Sequence, residues 1–535
     1  MKLLDYAKNT ALWQQKGYEL PNFNRDAVAE KTKESPAWIH FGAGNIFRAF
    51  PAALCQQMLN SGSYDRGVVV CEAFDTQIIT DAYRPYDGLS LLVVLKSDGS
   101  IDKKVIGSVV GSYTAEERDW NTLKTIFAAP SLQMASFTIT EKGYSLKNGA
   151  GNYIPDVQYD LDHPSSYPKS TMGKVTALLL HRYACGALPI AMVSMDNCSH
   201  NGDKLKSAVL GIAENWVSSG YAPQAFLDYL SSTSKVSFPW SMIDKITPRP
   251  DANVVKMLEA DGFEDTNLIV TAKNTYTPPF VNAEQAQYLV IEDSFPAGRP
   301  PLESAGVLFT TRETVDMVEK MKVCTCLNPL HTALAIFGCL LNKKTICEEM
   351  SDPDLLAMVK RLGYVEGMPV VVDPGIIQPK DFIDEVVNIR LPNPFMPDTP
   401  QRIATDTSQK LPIRFGETIK SYLQHPELKL SNLVVIPMVF AGWCRYLMGV
   451  DDAGESFTPS ADPLLETMQQ LLSGVQLGGT VVPGETLKPI LSNAAIFGVD
   501  LYEIGMAPAV EKAFAAMIAG KGAVRTVLHQ TAAAL

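Results

Sequence analysis

The run Ala37-Trp38-Ile39-His40-Phe41, broken by Gly42-Ala43-Gly44 and followed from Ala49 to Leu59 by helix formers, constrains this chain more than any other stretch. A short apolar strand, a glycine turn and a helix in that order open a dinucleotide-binding unit. Gly42 permits the tight turn, and Gly44 lets backbone N–H groups approach a pyrophosphate at the helix N-terminus. Ala43, Asn45 and Ile46 belong to the same expected cofactor loop. Phe47 stands where the third glycine of GxGxxG falls, so the fingerprint is incomplete. Arg48 is expected to add a charge for phosphate or substrate. A second apolar run, Gly67 to Cys71, ends on Glu72, with Asp75 just beyond. An acidic group at that strand end would bind the ribose hydroxyls of NAD and repel the 2′-phosphate of NADP. A surface carboxylate at a strand end is the alternative.

The alternation continues along the chain. Leu91–Leu95, Lys104–Val110, Met134–Thr140 and Leu188–Val193 read as strands. Glu141 follows the third and Asn197 the fourth, at strand ends where open α/β sheets bind ligands. His200 reads as structural, and residues 1–35 as a polar leading arm. The proline-punctuated connector 237–250 holds Asp244, a candidate buried carboxylate. Glu292–Pro301 is the clearest linker and predicts two domains. Residues 1–303 would be a Rossmann-type NAD-binding domain, and 304–535 a mostly α-helical domain carrying substrate and catalytic groups. The fold class is α/β, with only Met368–Val372 and Leu433–Phe440 strand-like in the second part.

Composition narrows the partners. With 535 residues, 46% of them apolar and 19% charged, the chain can bury more than one large core. A net charge of −12 disfavours nucleic acid, which needs a basic face, so an anionic substrate must meet a local basic pocket. The nine cysteines form no CxxC pair, and no metal set is expected; reduced thiols in a cytoplasmic protein is the simple reading. Met1–Asp5 lacks the apolar core of a signal peptide, and the Leu433–Cys444 window is too short to span a bilayer.

Lys322, Asn328 and His331 fall just ahead of the apolar run Ala333–Phe337. Asn328 and His331, three apart, share a face on a helix. A lysine, an asparagine and a histidine at one spot can exchange a proton, steady an oxyanion and grip a hydroxyl. Lysine ordinarily titrates near about 10.4, so desolvation in a closed cleft would have to lower it for that work. A helix start with a satisfied histidine is the competing reading. Further on, Arg390, Arg402, Asp406, Ser408, Lys410 and Arg414 make a polar stretch. Arg402 and Lys410, eight apart, would share a face of one helix and hold a polyhydroxylated or carboxylated substrate. A solvated charge face is the alternative there.

Taken in order, six segments resemble the mannitol dehydrogenase family of long-chain, metal-independent polyol and sugar-acid dehydrogenases. They are Gly42-Ala43-Gly44 with Arg48, Thr138–Tyr144, Asp196-Asn197 with Asn201-Gly202, Ile243–Pro248, Glu292-Asp293 with Gly298-Arg299-Pro300, and Leu327–His331. The resemblance implies NAD as cofactor, a small sugar acid or polyol as substrate, and an active site between a Rossmann-type and a helical domain. It implies Lys322 as general acid/base, Asn197 and Asn328 as oxyanion hole, and His331 on a hydroxyl beside the reacting carbon. Glu141 would assist proton movement, Glu319 matches an accompanying carboxylate, and Arg402, Lys410 and Arg390 would hold the distal substrate. One departure stands out: Lys322 to Asn328 is six positions, one more than the family's usual spacing. Either a local bulge restores the geometry, or Lys320 is the base. The Cys326–His331 variant and the chain length look most like the sugar-acid branch, which implies interconversion of D-mannonate and D-fructuronate. Tagaturonate reduction and mannitol oxidation are the alternatives within the family. A sugar-acid or dinucleotide sensor without turnover is the rival of another class.

Overall fold

The structure is a computed structural model and describes residues 1–534. The chain divides into two compact units: Met1–Lys96 with Ser100–Asp316, and Ser97–Gly99 with residues 317 onward.

The first unit is built on six parallel strands: β1 (Trp38–Phe41), β2 (Val68–Glu72), β3 (Val109–Thr114), β4 (Met134–Phe137), β5 (Ile190–Ser194) and β6 (Val236–Ser237). Their order is β3-β2-β1-β4-β5-β6. The chain winds outward one way from β1 to β3 and then the other way from β4, so the winding reverses between β1 and β4. Because all six run parallel, the loops after β1, β2, β4 and β5 emerge at one carboxyl edge, where a doubly wound sheet binds ligands.

Helices cover the sheet: α1 (Asn45–Ala49), α2 (Pro51–Asn60), α3 (Glu117–Ala128), α4 (Thr171–Ala184) and α5 (Asn201–Ser218). Alternate strand residues feed two cores, as a period of two requires. Ile39, Phe41, Val69, Ala135 and Phe137 cluster with Leu123, Phe127, Leu178 and Trp216. Trp38, Val70, Met134 and Val193 cluster with Phe47, Leu54, Met58 and Tyr83. Each such side chain contributes about 1.5–3 kcal/mol of burial. His40 is a core residue on β1, set between the hydroxyls of Ser136 and Thr138 at 2.7 and 2.8 Å. Burial drives its pKa down to about 3, so the ring stays neutral.

Two smaller sheets correct the expected outline. The leading residues are not a free arm: Tyr18–Glu19 pairs with Ile101–Ile106, in a sheet completed by Ser90–Leu95 and Phe280–Glu284. The single strand expected over Lys104–Val110 is two, because the chain leaves one sheet at Ile106 and enters the other at Val109. Past the Glu292–Pro301 linker, Leu308–Thr310 returns to pair with Tyr288–Glu292, itself paired with Ser241–Asp244.

The second unit is helical. The division falls inside α6 (Arg312–Met321), which runs into a π-helical turn, Lys322–Cys326, and then α7 (Asn328–Leu340). Two short helices, α8 (Pro400–Ile403) and α9 (Thr407–Leu411), precede α10 (Val435–Leu447). Leu433–Phe440 is therefore helix, not strand. Every residue of α10 is buried, which removes the one-sided pattern that marks a helix in sequence. The carboxylate of Glu366 accepts the N–H groups of Val434, Val435 and Ile436 at 2.8, 2.7 and 3.0 Å and so caps its start. A Cβ on Gly442 of α10 would lie 2.9 Å from the Phe337 ring of α7, so that glycine allows the two helices to close. In the other strand-like run, Met368–Val372, the first three residues form a 3-10 turn and none is strand. The helical run Arg312–Leu340 is long and apolar enough to cross a membrane, but 72% of its apolar window is buried within the protein, as in a core helix.

Candidate active site

At the carboxyl edge of β1, Gly42 has φ +107, and a Cβ there would sit 2.2 Å from the Thr138 carbonyl oxygen. No other residue type fits this turn without moving the backbone. Gly44, the residue before α1, is different. Its φ of −74 is ordinary and an added Cβ would meet nothing within 4 Å, so the turn faces open space. Unpaired N–H groups of a helix start beside such a space suit a pyrophosphate. These residues fit a dinucleotide.

The charged residues nearby are placed otherwise than expected. Glu72 is buried at the end of β2, where one oxygen accepts the Ala43 N–H at 2.7 Å and the other those of Phe74 and Asp75 at 2.9 and 3.1 Å. It shapes the glycine turn by charge-assisted bonds rather than presenting a free carboxylate. Asp75 is also buried, and its Oδ2 accepts the hydroxyls of Thr271 and Thr275, both at 2.6 Å. Arg48 is 1% exposed and is a support, not a surface cation: it donates to the Pro278 carbonyl at 2.5 Å and to Asn45 Oδ1 at 2.6 Å. Asn45 donates in turn to the Tyr276 carbonyl at 3.1 Å. Residues 271–278 thus form a strap tied to both cofactor-side loops; sequence inspection missed it, since its partners lie about two hundred residues away. Ile46 is half-buried on α1. Glu72→Ala is expected to raise the KM for NADH and for NADPH in parallel by about tenfold, the cost of stranded N–H groups. A change confined to the NADH/NADPH ratio would instead mark direct contact with the ribose.

After β4 and β5 the edge is organised by Asp196, which the sequence marked only as part of a matching segment, with no role of its own. Its carboxylate accepts the N–H groups of Ile139 and Thr140 at 3.0 and 2.8 Å and the Tyr144 hydroxyl at 2.5 Å, while burial raises its pKa. That clamp fixes the turn bearing Glu141, whose exposed carboxylate pairs with Lys204. Asn197 lies exposed in the turn after β5. His200 stacks on Trp240 with ring centroids 4.0 Å apart.

In the second unit, Lys322 begins the π turn and is 3% exposed, whereas Lys320 is exposed. The Leu327 N–H reaches the Lys322 carbonyl at 3.1 Å, a bond five residues long. A turn closed this way holds one residue more than an α turn, which accounts for the longer step from Lys322 to Asn328. Asn328 is the first residue of α7, and His331 stands one turn further on. His331 Nε2 faces Asp398 Oδ2 at 3.6 Å. Burial pushes the imidazole down to about 4 against the pull of Asp398, and Arg414, Arg402 and Arg390 push the same way, so it is neutral at pH 7.

Arg402 and Lys410 do not share a helix. The helical run breaks after Ile403, Asp406 adopts φ +54, and each residue sits on its own short helix, so the eight-residue periodicity is lost. Arg402 pairs with Asp398. Lys410 donates to the Ile403 carbonyl at 3.0 Å and to that of Thr405, closing the end of α8; burial brings it down to about 8. Arg390 is buried in a π turn, Val386–Arg390.

With this geometry in view, comparison with known proteins is unambiguous. Residues 36–304 match the mannitol dehydrogenase Rossmann domain, and 314–518 the mannitol dehydrogenase C-terminal domain. The chain belongs to the mannitol dehydrogenase family, as an NAD-dependent oxidoreductase. It is 53% identical to D-mannonate oxidoreductase of Thermotoga maritima over 98% of this chain and 97% of that one. Among solved structures, mannitol 2-dehydrogenase of Pseudomonas fluorescens, in ternary complex with NAD and D-mannitol, superposes with a TM-score of 0.68 at 27% identity, covering 99% of each chain. Substrate-free D-sorbitol dehydrogenase shares the fold with a TM-score of 0.79 at 24% identity, over 96% of this chain and 97% of that one.

Proposed function

We propose that this chain interconverts D-mannonate and D-fructuronate with NAD(H), as a cytoplasmic enzyme of small-molecule metabolism. The observation that carries the substrate reading is the 53% identity, over nearly the whole chain, to a D-mannonate oxidoreductase. The glycine turn Gly42-Ala43-Gly44 would hold the dinucleotide by its pyrophosphate, and NADH, when bound, would supply the hydride for the ketone carbon. Lys322, as ammonium, gives its proton to the alkoxide oxygen, so D-fructuronate, NADH and a proton yield D-mannonate and NAD. Its 3% exposure supports this role over Lys320, because a dry site strengthens the charge acting on the developing oxyanion. Asn197 and Asn328 donate their amides to that oxygen, each worth on the order of 3 kcal/mol in the transition state. Neutral His331 holds the neighbouring hydroxyl, and Glu141, open to solvent, passes protons outward. Arg390, Arg402 and Lys410 give the distal end a positive field, and Glu72, Asp75, Asn45 and Arg48 keep the cofactor loop in shape.

Initial rates of NADH and NADPH oxidation with D-fructuronate, D-tagaturonate and D-fructose test the reading. Turnover should be fastest with D-fructuronate and NADH. A higher kcat/KM for D-fructose would move the chain to the polyol branch. The absence of turnover with every ketone would leave the sensor reading.

A further inference from the structure

Arg414 was one of several cations in a polar stretch of sequence; the structure sets it apart. It lies in the π turn Pro412–Gly416, which packs against the Lys322–Cys326 turn. Its Nη1 donates to the Thr332 hydroxyl at 2.5 Å, and that hydroxyl donates to the Asn328 carbonyl at 2.9 Å. Arg414 is thereby tied to the residue next to His331 and to the backbone of Asn328. Burial lowers its pKa to about 10, which leaves it charged at pH 7. Yet among the described residues no carboxylate pairs with it, and Thr332 is its one hydrogen-bond partner. The other cations are committed: Arg402 to Asp398, Lys410 to the backbone at the end of α8, while Arg390 is 5% exposed. A half-buried guanidinium held by one hydroxyl is costly unless an anion completes it, and its planar fork matches a carboxylate.

We propose that Arg414 binds the substrate carboxylate and makes this site prefer a sugar acid to a neutral polyol. The proposal rests on the sugar-acid reading above and names the group that would enforce it.

The test compares kcat/KM for D-fructuronate and D-fructose, with NADH, in the wild type and in Arg414→Met and Arg414→Lys. The acid-to-neutral ratio is expected to fall about 30-fold in Arg414→Met, mostly through the KM for D-fructuronate, as loss of a charge-assisted pair implies. Arg414→Lys, which keeps the charge without the fork, should recover part of it. A ratio within about threefold of wild type in both variants, or an equal loss of kcat on both substrates, overturns the proposal, since a structural arginine would behave so. If Arg414→Met does not fold, judged by thermal unfolding and NADH binding, the same ratio in Arg414→Lys decides. A wild type that prefers D-fructose would defeat the sugar-acid reading itself, and this proposal with it. A wild type that prefers D-fructuronate with an unmoved ratio in the variants defeats only the role of Arg414.

Discussion

Lys322→Ala should lower kcat by about a thousandfold while leaving NADH affinity within about a factor of two, the size expected when a positioned acid/base is removed. The geometric reason lies in the π turn. Lys322 is buried at its first position, Asn328 starts the next helix, and the extra residue between them is taken up without turning the lysine out to solvent. Lys320, two residues earlier and exposed, has no such setting, and Lys320→Ala should stay close to wild type. The measurement is steady-state kcat beside NADH binding followed by protein fluorescence. Binding matters because it separates lost chemistry from lost structure. A Lys322→Ala enzyme within tenfold of wild type, or a large loss in Lys320→Ala instead, would mean that the base has been misassigned.

The sequence carried the outline of both units for a definable reason. Most strands of the main sheet are short, buried and punctuated by turn glycines, so apolar runs and breaks locate them, whereas half-exposed Val109–Thr114 and two-residue Val236–Ser237 leave a weaker trace. Three-residue Leu308–Thr310 and two-residue Tyr18–Glu19 are too short to leave such a pattern, which is why the strand past the linker went unseen and the leading residues looked like an arm. Helix α10 shows the opposite failure: burial all round erased its periodicity. At the site, the right residue types were visible but their duties were not. Glu72, Asp75 and Arg48 stand where a dinucleotide-binding fold would have them, yet each is spent on the backbone or on the strap over residues 271–278. Such pairings join segments remote in sequence. The π turns are illegible for another reason, since no composition marks a five-residue bond. Three of them carry Lys322, Arg390 and Arg414, and the only trace was the odd spacing before Asn328. Asp406 in the left-handed region undid the helical face drawn through Arg402 and Lys410 in the same silent way.

Gly42→Ala and Gly44→Ala should separate what the glycine turn does for the fold from what it does for the cofactor. At Gly42 a Cβ would meet the Thr138 carbonyl oxygen at 2.2 Å, with φ at +107. That oxygen belongs to backbone that cannot swing aside, because Thr138 N–H is held by the Phe41 carbonyl at 2.9 Å and Gly42 N–H by that of Cys71 at 2.9 Å. Alanine must therefore pry β1 from β4 or strain its own backbone. Either route costs about 3 kcal/mol and should lower the thermal midpoint as well as NADH affinity. At Gly44 the backbone is ordinary and the space beyond is open, so alanine should leave the midpoint near wild type. Its methyl group would instead stand in the path of the pyrophosphate and weaken NADH binding by about tenfold or more, since backbone N–H groups need close approach there. Calorimetry beside NADH titration reads both. A Gly44→Ala protein that binds NADH as tightly as wild type would show that the open space over this turn is not where the pyrophosphate lies, and the assignment of the cofactor loop would have to be given up.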